Sequence, residues 1–161
     1  MNFFDVAKNM EVKSKALYEE LARESGKDLS GIFTFLAREE QQHYDIFDVM
    51  QQRSDLTVPA DDNILKRAHD HFAHAARDFA IPEAINDAEV VYKKALGLEE
   101  DAVSFYTAEQ AKIENESYRE TLDLIIEQEK RHVTLINNLV EFVQHPKIWL
   151  ENAEFNHLKE Y

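Results

Sequence analysis

Two short signatures occur twice each in this chain, and together they restrict its fold more than any other feature. One is E-x-x-[small]-x-x-x-Y, at Glu11, Ser14 and Tyr18 and again at Glu99, Ala102 and Tyr106. The other is E-x-x-H, at Glu40 and His43 and again at Glu129 and His132. The two glutamates of one half stand 29 residues apart (11 to 40), and those of the other half 30 apart (99 to 129). The chain is therefore a two-fold internal repeat of roughly 45-residue units. On a helix, residues three apart point to nearly the same side, and residues seven apart share a face after two turns. Both signatures are helical in spacing, so each half predicts a pair of helices.

The apolar pattern agrees. Gly and Pro number only 3 each, against roughly 19 together at average usage for this length, which favours long helices over strands and turns. Four are predicted, over about 3–25, 30–53, 86–114 and 117–144. Asn2 is the expected N-cap of the first, with Asp5 three residues on, and Gly26 suits its C′ position. A GKDLSG turn follows. The second helix carries Leu36, Glu40, His43, Phe47 and Met50 on one face, and the fourth carries Leu122, Ile125, Glu129, His132, Ile136 and Leu139. The first carries Ala7, Met10, Ser14, Leu17 and Leu21 with Glu11 and Tyr18 beside them; the third carries Ala95, Leu98, Ala102 and Phe105 with Glu99 and Tyr106 beside them.

Short links within each half predict two antiparallel hairpins. Residues 54–86, bracketed by Pro59 and Pro82 and containing a shorter helix, are long enough to cross a bundle lengthwise, since a helix of about 24 residues measures about 36 Å. Pro146 stops the fourth helix, and KIWLENAEFNHLKEY reads as a short terminal helix or turn. The expected architecture is a single all-α domain over 1–161, a four-helix bundle with one long crossover.

Composition narrows the chemistry. There is no Cys, which removes disulfides, zinc fingers, iron–sulfur sites and thiol catalysis. A formal charge of −14 repels phosphate backbones, so nucleic acid is not an expected partner. No leader-like segment is visible at the start and no 18-residue apolar run occurs, so neither export nor a membrane span is expected and the cytoplasm is the default.

The repeat sets Glu11, Glu40, Glu99 and Glu129, with His43 and His132, at one level of an antiparallel bundle. Four buried carboxylates without a cation repel one another strongly. Two divalent ions supply +4 against −4, and the mixed oxygen and nitrogen donor set suits iron or manganese, as a like or mixed pair. A single E-x-x-H is common and carries little weight; two copies in matching apolar frames, each preceded by a matching Glu, are specific. Tyr18 and Tyr106 suit either of two roles, plain core residues or donors that fix a ligand carboxylate. Glu39, Glu100, Asp101 and Glu127 fall off the inner face and are expected in solvent. His69, His71 and His74 lack a supporting carboxylate pattern, and His145 and His157 read as surface or end-cap residues.

These residues resemble the rubrerythrin-like group of the ferritin-like superfamily, across both hairpins; the stretch from Trp149 to Phe155 is also similar to tails of small stand-alone members. The resemblance implies a ferritin-like bundle with a non-haem di-iron centre that reacts with hydrogen peroxide or dioxygen. It implies Glu11, Glu40, His43, Glu99, Glu129 and His132 as ligands, with Glu40 and Glu129 as bridges. Rubrerythrins proper carry a rubredoxin-type iron domain; with no Cys here, the implied electron donor is a separate rubredoxin-like protein or flavoprotein. They also place a further carboxylate where this chain has Ala102, and Glu100 and Asp101 are rotated by about 100° and 200° from Glu99. A homodimer, with or without exchanged hairpins, is in keeping with the group. The leading expectation is a redox protein reducing peroxide or dioxygen. The alternatives are a ferritin-like protein that binds, oxidises or stores iron without turnover, and a structural module that has lost its metal.

Overall fold

The computed structural model describes residues 2–52 and 85–145. Among them lie four helices and no strands: α1 Phe3–Glu24, α2 Lys27–Gln52, α3 Ile85–Gln110 and α4 Glu116–Gln144. The inner parts of the 54–86 stretch, His69, His71 and His74 within it, and the C-terminal segment with His157 lie outside the described residues. Ile85, expected in the crossover, already belongs to α3, the helix that Asn86 is expected to open.

Local chemistry accounts for the helix ends. Asn2 Oδ1 accepts the Asp5 N–H at 3.0 Å, and Asp5 Oδ2 accepts the Asn2 N–H at 3.0 Å. This reciprocal capping box satisfies two backbone donors that the first turn would otherwise strand. Asn115 starts α4 similarly, its side chain accepting from the Tyr118 N–H. The expected GKDLSG turn is shorter than its composition suggests, because only Ser25 and Gly26 separate α1 from α2. The Gly26 carbonyl accepts from the Ser30 N–H at 2.8 Å and so opens α2 at once. Gly31 then sits inside the helix at a cost of roughly 0.5–1 kcal/mol. Burial of Leu29, Ile32 and Phe33 in the core outweighs it, at about 1.5–3 kcal/mol per large side chain. At the other end, α3 stops at Gln110 rather than 114: Lys112 and Ile113 fold back with N–H bonds to the Glu109 and Gln110 carbonyls. Ile113 thereby packs against the core.

Side-chain pairs fix how the helices run. Lys8 meets Asp48, and Lys15 meets Gln41, so α1 and α2 are antiparallel. Glu89 meets Gln144 and Gln110 meets Asp123, so α3 and α4 are antiparallel. Tyr18 bonds Glu99 while Tyr106 bonds Glu11, which makes α1 and α3 antiparallel; His43 with Gln128 and His132 with Glu39 do the same for α2 and α4. Helices α2 and α3 consequently run in the same direction. The end of α2 and the start of α3 lie at opposite ends of the helix set, and residues 53–84 must join them.

The core is layered. One apolar cluster gathers Leu17, Leu21, Ile32, Phe33, Leu36, Tyr92, Ile136 and Leu139. A second gathers Ala7, Phe47, Met50, Ala102, Leu122 and Ile125. Along each helix, the residues between the clusters include the polar members of the repeat: Glu11 and Ser14 in α1, Glu40 and His43 in α2, Glu99 in α3, and Glu129 and His132 in α4. In α1 and α3 this layer takes the centre of the buried face. Glu11, Tyr18, Glu99 and Tyr106 are buried, whereas Met10, Leu98 and Phe105 are only partly so. The sequence placed those four polar residues beside the stripe; interhelical contact rotates the face towards them.

Phe33 is fully buried, with its ring stacked on Tyr18 at 6.3 Å. Phe33→Ala should cost about 3–5 kcal/mol, read as a lowered midpoint in urea at unchanged slope. Val12→Ala, at a half-exposed position, should change stability by less than about 0.5 kcal/mol.

Candidate metal centre

The six residues singled out by the repeat converge. Glu11, Glu40, His43, Glu99, Glu129 and His132 are each no more than 2% exposed. Their donor atoms fall into two overlapping groups: Glu11, Glu40, His43 and Glu129, and Glu40, Glu99, Glu129 and His132. Within each group the atoms lie within 4.8 Å of one another. Glu40 and Glu129 belong to both groups, so they stand between two positions.

The distances between these donor atoms are compatible with a shared cation. His43 Nδ1 is 2.9 Å from Glu129 Oε1 and 3.5 Å from Glu11 Oε2. His132 Nδ1 is 3.0 Å from Glu40 Oε1, 3.1 Å from Glu129 Oε2 and 3.6 Å from Glu99 Oε2. Two donors each about 2.1 Å from one ion, subtending 90–110°, would lie about 3.0–3.4 Å apart. Glu129 directs one oxygen to each imidazole, the pose of a bridging carboxylate. Both Nδ1 atoms, both Glu129 oxygens, and one oxygen each of Glu11, Glu40 and Glu99 make no well-formed hydrogen bond. Buried polar atoms are rarely left so, and a group of them aimed at one space could together hold a cation.

The outer atoms of the same residues are satisfied, and symmetrically. The Tyr18 hydroxyl donates to Glu99 Oε1, and the Tyr106 hydroxyl donates to Glu11 Oε1. Both tyrosines thus hold carboxylates of the opposite hairpin, besides packing in the core. Each imidazole uses Nδ1 inward and Nε2 outward. His43 Nε2 lies 2.6 Å from Gln128 Oε1, and His132 Nε2 lies 2.5 Å from Glu39 Oε2. With the outer nitrogen protonated and donating, the inner one is left free as a ligand.

Glu39 corrects the sequence-based expectation of a solvated side chain: it is 1% exposed. One position off the Glu40 stripe still faces α4, because a helix with neighbours on two sides buries more than a single stripe. The signal was present: Glu39 and Gln128 each immediately precede an E-x-x-H, so the fuller repeat is [EQ]-E-x-x-H. Glu100, Asp101 and Glu127 are exposed, as expected. His145 is exposed and caps α4 through its backbone N–H.

Electrostatics show how the layer behaves without a cation. Burial, then the charges of Glu129, Glu99 and Glu11, holds Glu40 well above the carboxylate range. Burial and the Glu129 charge push Glu99 up to about 7 against the pull of His132. Burial disfavours charge on the imidazoles, but Glu129 beside His43 and Glu99 beside His132 outweigh it and hold both well above the ordinary value. Burial also opposes ionisation of Glu129, yet the two imidazoles bring it below the usual range. Burial raises Tyr18 and Tyr106, reinforced by Glu99 and Glu11 respectively, so both phenols keep their protons. Protons do the neutralising that cations would otherwise do.

The sign of the pH dependence follows. A carboxyl or imidazole whose folded pKa is raised stabilises the fold below its unfolded value and loses that contribution as pH climbs through the folded value. Chelator-treated protein should lose stability as pH rises from about 4.5 towards 7 through Glu99, with Glu40, His43 and His132 carrying the loss higher. Metal-loaded protein should show the reverse slope, because protons compete with the cation for the same atoms. Thermal melts at about pH 5 and about pH 8, with and without metal, check both signs. No family model, curated protein or solved structure matches the chain.

Proposed function

We propose that this chain is a di-iron protein of the rubrerythrin-like type that reduces hydrogen peroxide or dioxygen and is re-reduced by a separate donor protein. The observation that carries this reading is the pair of overlapping four-donor groups sharing Glu40 and Glu129. A ferrous pair, when bound, supplies the two electrons that convert peroxide and two protons into two waters. Glu11 and His43 would complete one position, and Glu99 and His132 the other. Glu40 and Glu129 would hold the two at a fixed separation. Tyr18 and Tyr106 keep Glu99 and Glu11 from rotating away, so the donor atoms stay aimed inward. The apolar clusters on both sides of the layer exclude bulk water. A cleft between α1 and α2, lined by Glu11, Lys15, Glu40, Gln41 and Tyr44, offers a small oxidant a route to the carboxylates.

The test is anaerobic loading with ferrous iron, followed by one equivalent of peroxide with absorbance recorded in a stopped-flow instrument. Rapid oxidation by peroxide or by air-saturated buffer is expected. Oxidation by neither would overturn the redox reading, and many irons per chain in a large assembly would move storage ahead of it. Glu40→Ala or Glu129→Ala removes a donor common to both positions and should empty the centre. Tyr106→Phe should weaken metal binding about 10–100-fold while helical content by circular dichroism is kept.

A further inference from the structure

The two halves of the centre match in almost every respect: Glu11 with Glu99, Tyr106 with Tyr18, His43 with His132. They differ at the outer nitrogen of each imidazole. His132 Nε2 lies 2.5 Å from the carboxylate of Glu39, and both side chains are 2% exposed. His43 Nε2 lies 2.6 Å from the amide oxygen of Gln128. Glu39 and Gln128 occupy the same place in the repeat, so at this place the two halves differ by a charged against a neutral side chain, the Glu39 contact buried and the Gln128 contact partly so.

Its consequence is chemical. A hydrogen bond from an imidazole N–H to a carboxylate is charge-assisted and about twice as strong as one to a neutral oxygen. Such a partner draws the Nε2 proton outward and enriches Nδ1 in electron density, which makes the ring a better ligand. The carboxylate also adds a negative charge in a low-dielectric layer, nearer to His132 than to His43. An amide oxygen orients its ring equally well but does neither.

We propose that Glu39 makes the two metal positions inequivalent, so that the first divalent cation binds at His132 and the second at His43. The inference rests on the di-metal reading of the site and goes beyond it by giving an order of filling. Glu39 is in this account a positioning and tuning residue that acts through His132 and does not touch the metal.

The experiment uses zinc(II), a diamagnetic probe, and the full chain with nitrogen-15-labelled histidine. Ring nitrogen shifts report which Nδ1 is coordinated. At one equivalent of zinc, His132 should carry the coordinated signature in preference to His43 by about tenfold or more. Glu39→Gln should equalise the two rings, as should Gln128→Glu taken alone, which keeps a test in hand if one variant folds poorly. The double exchange, Glu39→Gln with Gln128→Glu, should reverse the order so that His43 fills first. A structural role for Glu39 would not produce that reversal. Equal filling in the unaltered chain, His43 filling first, or an order indifferent to Glu39→Gln would overturn the inference while leaving the two-metal site standing. Failure of either ring to take zinc at saturation would overturn the di-metal reading and this inference with it.

Discussion

Four carboxylates packed between apolar clusters govern this protein. Glu11, Glu40, Glu99 and Glu129 are almost wholly excluded from water, and they lie close enough that they cannot all ionise without a compensating charge. Whatever neutralises the layer also holds the four helices together at that level, since each helix contributes one of these carboxylates. Protons on Glu40, Glu99 and the imidazoles give one solution, and a pair of divalent cations gives another. The seven inward-facing donor atoms left without hydrogen bonds are those through which the second would act.

The rest of the architecture serves that layer. Tyr18 and Tyr106 cross from one hairpin to the other, each ending on a carboxylate of its neighbour, so α1 and α3 are tied in register at the height of the site. His43 and His132 tie α2 to α4 in the same way through Gln128 and Glu39. Their rings stack with centroids 5.8 Å apart, facing one another across the shared carboxylates. The apolar clusters contribute most of the stability by burial, and they also lower the local dielectric, which strengthens every electrostatic interaction between them. The parallel course of α2 and α3 follows from these cross-ties, and it is what demands a long connection between the hairpins.

Much of this was legible in the residues. The repeat of Glu11, Ser14, Tyr18 and Glu40, His43 in the second half placed six side chains on inner faces, and the structure buries all six together. Asn2 and Asp5 announced the start of α1 by their chemistry. What escaped was set by neighbours rather than by local pattern. Residues 27–31 look like a turn by composition, but Leu29, Ile32 and Phe33 gain more by burial in a helix than Gly31 loses. Glu39 looks solvated when one helix is considered alone, and only the presence of α4 reveals that its side chain has a buried partner. The buried face of α1 and α3 extends beyond the expected stripe to Glu11, Tyr18, Glu99 and Tyr106 for the same reason, while Ala7, Ser14, Leu17, Leu21, Ala95 and Ala102 are buried as expected. The metal's identity has no such signature, because oxygen and imidazole donors accept iron and manganese alike.

The central claim is that the layer is a two-metal site. Its most direct measurement is the number of ferrous ions bound per chain at saturation, by anaerobic dialysis and elemental analysis of the untagged protein. The account predicts about two, in keeping with two donor groups that share a pair of carboxylates. A chain that binds none under these conditions would contradict it and leave a four-helix fold whose buried charges are balanced by protons alone.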